Sequence, residues 1–186
     1  MFRRATRSSR TDGASPRSGA ATDAGAVSAN GIAVKALDED GLVADVSRWE
    51  ALVVAVLDAE SVPGPGEATL VFVDAVAISQ LNQLHMGESA PTDVLSFPID
   101  GLETLREGER RVVGDIVVCP EVAAVNAPGH TGALDDELAL LICHGVLHLL
   151  GHDHAEPGER ERMWSREREL LGQLWSPLTR DPWADS

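Results

Sequence analysis

Long apolar runs are missing from this chain of 186 residues. No stretch approaches the roughly 18 to 20 consecutive apolar residues that a membrane span needs, and no membrane partner is expected. The opening MFRRATRSSRTDGASPRSGAATDAG carries arginines without an apolar segment, so a secretory signal is not supported. Cysteine is scarce as well. Cys119 and Cys143 are too few for a disulfide framework and sit in apolar surroundings, which points to buried thiols in a reducing cytoplasm. Positive charge is also short, with a formal net charge of −15. The five arginines of residues 1–31 face only Asp12 and Asp23, whereas the rest holds ten basic and twenty-eight acidic side chains. Such a body is a poor general-purpose nucleic-acid binder, because phosphate affinity rests on cationic neutralisation. Any RNA role needs a local patch or a basic protein partner.

Apolar residues make up 44% of the chain, ample for the core of one domain. Residues 1–30, rich in Ser, Gly, Ala and Arg, cannot offset their ordering entropy by burial and read as a disordered tail. Residues 31–176 read as a single metal-binding catalytic domain, and 177–186 as a carboxy-terminal tail. IAVKALDE (32–39) alternates like a strand. SRWE (47–50) has the form of a capping box ahead of the apolar helix run ALVVAVL. ATLVFVD (68–74) is a buried-type strand whose Asp74 caps a helix, AVAISQLNQLH. PTDVLSFPI (91–99) reads as a strand that Pro98 confines to an edge, and VVGDIVVCP (112–120) as another. After a short helical stretch come helices over about 133–150 and 157–174. Met163, Leu170, Leu171 and Leu174 make a core stripe on the last. The expected fold is α+β: a mixed sheet of about four strands with helices packed on it.

HGVLHLLGHDH (144–154) gathers four of the chain's six histidines. Asp135, Asp136 and Glu137 suit the positive end of the helix leading into it. His144 and His148, four apart, stand on one helical face. Gly151 can adopt the left-handed conformation that ends a helix, and the returning chain can bring His154 to the same point. Three imidazoles at the end of a core helix leave a fourth position open, the arrangement of a catalytic zinc. His152 competes as third ligand, but it has less chain in which to swing back. Zinc, one ion per chain, fits best, although nickel, cobalt and copper also accept imidazole.

The spacing H-x-x-x-H-x-x-G-x-x-H is that of metzincin peptidases. Those enzymes carry Glu after the first His as general base. Here that position is Gly145, which has no proton acceptor. A peptidase is not expected.

The eleven-residue motif closely resembles the His-Gly-x-Leu-His-Leu-x-Gly-Tyr-Asp-His signature of the YbeY family of zinc-dependent endoribonucleases. ISQLN…PTDVLSFP (78–98) and GDIVVCPEVA agree in order and spacing, so the likeness spans roughly 32–175. The resemblance implies a metal bound by His144, His148 and His154 in the cleft of a sheet-and-helix fold. It implies single-stranded RNA as substrate, not DNA, and a cytoplasmic role in 16S rRNA 3′-end maturation and ribosome quality control, with ribosomal proteins or assembly factors as partners. Two departures stand out. His152 replaces the signature's Tyr, and His85-Met86 stand where members often carry Tyr-Arg after the LN motif. An arginine there would bind phosphate oxygens in bidentate fashion, which methionine cannot do. Either Arg106, Arg110 and Arg111, the one cation cluster in a plausible loop, substitute, or the nuclease activity is weaker here.

The expected reaction is metal-assisted phosphodiester hydrolysis, with a zinc-bound water as nucleophile. Asp153 is the candidate base, although a carboxylate so placed more often orients a ligand. Thr92, Asp93 and Ser96 are expected in the cleft wall, on resemblance. A second reading is a ribosome-assembly binding factor with a mainly structural zinc, which the acidic body favours.

Overall fold

The computed structural model describes residues 25–154 and 156–184. The stretch to residue 24, most of the expected tail, lies outside the described residues. The elements follow in order: β1 (Ile32–Leu37), α1 (Val46–Ala59), β2 (Gly66–Phe72), α2 (Ala75–His85), β3 (Val94–Pro98), β4 (Arg111–Val118), α3 (Pro120–Asn126), a 3₁₀ turn (Ala127–Gly129), α4 (Leu134–Leu149) and α5 (Pro157–Leu174). The strands form one sheet in the order β1-β2-β4-β3. The first three are parallel, and β3 runs antiparallel to β4 at the edge. This is an α+β fold with a mixed sheet. No helix among the described residues is long and apolar enough to cross a membrane.

The sheet buries one face along its width and the other only in part. On one, Ile32, Val34, Leu70, Phe72, Val113 and Ile116 pack against α1, α4 and α5. On the other, Leu95 and Val117 pack with Ile78 of α2. Strict alternation would put Val113 and Ile116 on opposite faces. A register shift between Glu67 and Thr69 intervenes, and Gly114 adopts φ +146 beside it. A Cβ at Gly114 would meet Phe97 O at 2.4 Å. The bulge re-aims the strand, so both side chains reach the core below α4. Met163, Leu170 and Leu171 are buried and Leu174 packs on the same core, as the α5 stripe requires.

Three sequence expectations change. Asp45 caps α1, accepting from Ser47 N at 3.1 Å and Arg48 N at 3.4 Å. The expected capping box fails because Glu50 turns to the sheet and accepts from Ala36 N at 2.8 Å. The expected amino-terminal tail is too long: Ala26 O accepts from Val34 N at 2.7 Å, and Ser28 is buried. The expected carboxy-terminal tail is packed as far as described. Buried Asp136 accepts from Trp175 Nε1, Thr179 N and Thr179 Oγ1, Arg180 N donates to Thr131 O, and Leu178 and Trp183 pack on the core. Short length and polar composition gave no sign of these partners.

Candidate metal centre

Helix α4 enters with three acidic residues in its first turn and runs through the core with Leu138 to Cys143 buried. It ends where Gly151 takes φ +89. Gly151 N donates to His148 O at 3.0 Å and His152 N to Leu147 O at 3.0 Å, the paired bonds of a glycine-terminated helix. The chain therefore reverses over the last turn, and His154 returns to the face that carries His144 and His148. One ring nitrogen from each of the three lies within 4.8 Å of the others, so the group could hold a metal ion. His152 contributes its carbonyl to this cluster; its ring is not among the three.

The outward nitrogens are fixed from behind. His144 Nδ1 lies 2.7 Å from Glu167 Oε1, and His148 Nδ1 lies 2.9 Å from His152 O. A carboxylate and a carbonyl accept, so each Nδ1 is assigned the proton. That leaves a lone pair on each Nε2, and the two Nε2 atoms face each other at 3.0 Å. Two lone pairs so placed repel unless a cation lies between them. Two imidazoles on one tetrahedral zinc, each at about 2.0–2.1 Å, would stand about 3.3 to 3.4 Å apart. The donor set fits such an ion within a few tenths of an ångström. Burial, reinforced by the neighbouring His144 and His154, pushes His148 down to about 4. The ring is thus neutral near pH 7, as a metal ligand must be.

The triad opens onto a hollow of about 570 Å³. Thr92, Asp93 and Ser96, expected in the wall, all line it with Asp153 and Met86. Asp93 Oδ1 accepts from Val94 N at 2.9 Å and its Oδ2 from Asn126 Nδ2 at 3.1 Å. Ser96 Oγ donates to Gly145 O at 3.2 Å, tying β3 to α4. Asp153 Oδ1 accepts from His154 N at 2.6 Å, which orients the turn carrying the third histidine. Gly145 faces the sheet: a Cβ there would meet Ile116 Cγ2 at 2.7 Å and Ser96 Oγ at 3.2 Å. The position that peptidases fill with a base is here a contact between helix and strands.

The family model described as Endoribonuclease YbeY matches residues 35–175. The chain belongs to the YbeY family. It is 44% identical over 137 residues to the endoribonuclease YbeY of Beutenbergia cavernae, covering 72% of this chain and 91% of that protein. Against the endoribonuclease YbeY of Thermobifida fusca it is 41% identical over 143 residues, covering 75% and 92%. A solution structure of a Thermotoga maritima protein superposes with a TM-score of 0.53 at 26% identity, covering 77% of this chain and 89% of that one.

Two features of this YbeY family member were not anticipated from its sequence. The arginine cluster expected to replace the missing cation is elsewhere. Arg111 is buried and donates to the carbonyls of Pro63, Gly101 and Glu103, Arg106 lines a hollow with it, Arg110 donates to Gly66 O, and none of the three lines the hollow of the triad. The Arg111 guanidinium is committed to the carbonyls that flank it, so it is not available to a substrate. Sequence reading also passed over Glu167, 2% exposed, which receives His144 Nδ1 on one oxygen and Trp183 Nε1, at 3.1 Å, on the other. A signal existed: Glu167 falls four residues after Met163 and three before Leu170, a charge inside an apolar stripe. Such a buried carboxylate must have donors to face.

Proposed function

We propose that this protein is a zinc-dependent, single-strand-specific endoribonuclease that matures the 3′ end of 16S rRNA and serves ribosome quality control in the cytoplasm. That it is an endoribonuclease, a hydrolase, follows from its family; the metal, the strand preference and the ribosomal task are the proposal. The observation that carries the metal is the pair of facing Nε2 atoms at 3.0 Å, each with its Nδ1 already engaged.

His144, His148 and His154 would hold one zinc ion. A bound zinc supplies Lewis-acid chemistry, lowering the pKa of a coordinated water to about 7 and polarising a phosphoryl oxygen. Glu167 and the carbonyl of His152 keep the two helical rings turned outward. The carboxylate of Asp153, at the rim, takes the proton of the attacking water. Thr92, at the wall, offers a hydroxyl to a phosphate oxygen, Asp93 braces that loop through Asn126, and Ser96 sets the distance between β3 and α4. Residues 31–176 carry this chemistry, and ribosomal proteins or assembly factors are the expected partners.

The test is cleavage of labelled single-stranded RNA by zinc-loaded protein, beside duplex RNA and the His148→Ala variant. Cleavage of the single strand alone, lost in the variant, is expected. Metal analysis should find zinc lost in His154→Ala and kept in His152→Ala; the reverse would overturn the ligand choice. The formal charge of −15 favours one other reading, a ribosome-assembly binding factor with a mainly structural zinc. Full zinc occupancy without cleavage would favour it.

A further inference from the structure

A body this acidic needs a local cationic surface to hold RNA, and the exposed face of α5 carries one. Arg160, Trp164 and Arg168 follow at intervals of four, so they share a face. They line a groove of about 740 Å³ with Arg162 and Trp183, where Glu161 is the single carboxylate. The Arg160 guanidinium lies 5.4 Å from the Trp164 ring centroid, and that of Arg168 4.7 Å from Trp183. The three arginines are exposed. None of the ion pairs between described residues engages any of these three.

This groove lies close to the metal centre. Trp164 and Trp183 also line a smaller cavity of about 230 Å³, whose other walls include His144 and Asp93. His144 and Asp93 in turn line the hollow of the triad. The three hollows therefore adjoin, each sharing wall residues with the next. Alternating indole faces and guanidinium groups are what an unpaired strand needs, since bases stack on rings while phosphates meet cations.

Resting on the endoribonuclease reading, we propose that single-stranded RNA leaving the metal cleft runs past Trp183 and Trp164 onto Arg160, Arg162 and Arg168. The track supplies substrate affinity that the rest of the acidic surface withholds. Duplex RNA presents no free base faces to the two indoles, so the track also favours single strands.

The test measures binding of a labelled oligouridylate of about 15 nucleotides, near the upper site size of a single-strand groove, to metal-loaded full-length protein by anisotropy. The double variant Arg160→Gln/Arg168→Gln should bind at least about tenfold more weakly. The slope of log affinity against log salt should flatten by about 1.4, at about 0.7 per phosphate contact. Arg106→Gln/Arg110→Gln removes the same charge away from the cleft and should bind like wild type. Trp164→Phe keeps a ring face and should bind, whereas Trp164→Leu should lose roughly five- to a hundredfold. Thermal melting of each variant reports its fold. Equal losses in the two arginine pairs, unchanged affinity in Arg160→Gln/Arg168→Gln, or equal affinity for duplex RNA would overturn the track while leaving wild-type cleavage intact. A wild type that neither binds nor cleaves the oligouridylate would overturn the endoribonuclease reading and the track together.

Discussion

Glu167 Oε1 lies 2.7 Å from His144 Nδ1, and the carboxylate that makes this bond is buried on α5. Its other oxygen accepts from Trp183 Nε1. Helix α4 thus presents the histidine, but α5 decides which nitrogen faces the cleft. Glu167→Gln keeps the volume while removing the charge and one acceptor. Zinc affinity, read by competition with a chromophoric chelator, should fall about 10- to 100-fold. The melting temperature of the metal-free protein should change less than in Glu167→Ala. Undiminished zinc affinity in both variants would show that Glu167 is only a packing residue.

Gly145 is set by packing, not by chemistry. Ile116 stands 2.7 Å from where its Cβ would be, and Ser96 Oγ 3.2 Å away. Gly145→Ala should therefore destabilise the fold. Overpacking costs about 1 to 3 kcal/mol, against a helix-propensity gain of at most about 1 kcal/mol. A melting temperature lower by a few degrees is expected. A rise in that temperature would mean that β4 yields to the methyl group. Peptide hydrolysis should be absent from the wild type, and Gly145→Glu should not create it.

Asp136 gives stability a pH dependence. Burial alone would raise its pKa, but the bonds from Trp175 and Thr179 outweigh that effect and hold it below its ordinary value of 3.8. The folded protein thus keeps the carboxylate charged where the unfolded chain would protonate it. The resulting stabilisation is fully present above about pH 4 and is lost as pH falls through the lower, folded value. Urea melts of wild type and Asp136→Asn should differ most near neutrality and converge in acid. A difference that grows on acidification would reverse the sign assigned here.

Met86 is 57% exposed at the end of α2 and lines the hollow of the triad. Arginine at this position would not be buried. Met86→Arg should leave the melting temperature unchanged and strengthen RNA binding. One charge-assisted bond to phosphate is worth about 1.5 to 3 kcal/mol when fully formed, so a gain of about tenfold is expected at this open site. A clear drop in melting temperature with no gain in binding would reject the cleft position.

Local spacing made much of this molecule legible from its sequence. Helix α2 and its Asp74 cap, helix α5 with its core stripe, and the edge position of β3 are periodic or punctuated features that the chain writes within one element. The three histidines belong to the same class. A rise of four residues fixes two rings on one face, and a left-handed glycine turns the third back, whatever the rest of the chain does. Their outer partners are different. Glu167 lies 23 residues from His144, and Trp183 a further 16 beyond Glu167. Arg111 looked like a cleft cation until its three carbonyl partners appeared, and Glu50 looked like a cap until Ala36 claimed it. Residues in different elements meet only through packing, and the burial that selects their partners is a property of the assembled core. The sequence by itself determined which side chains could surround a metal. The tertiary structure decided what orients them, what walls the cleft, and which arginines remain exposed.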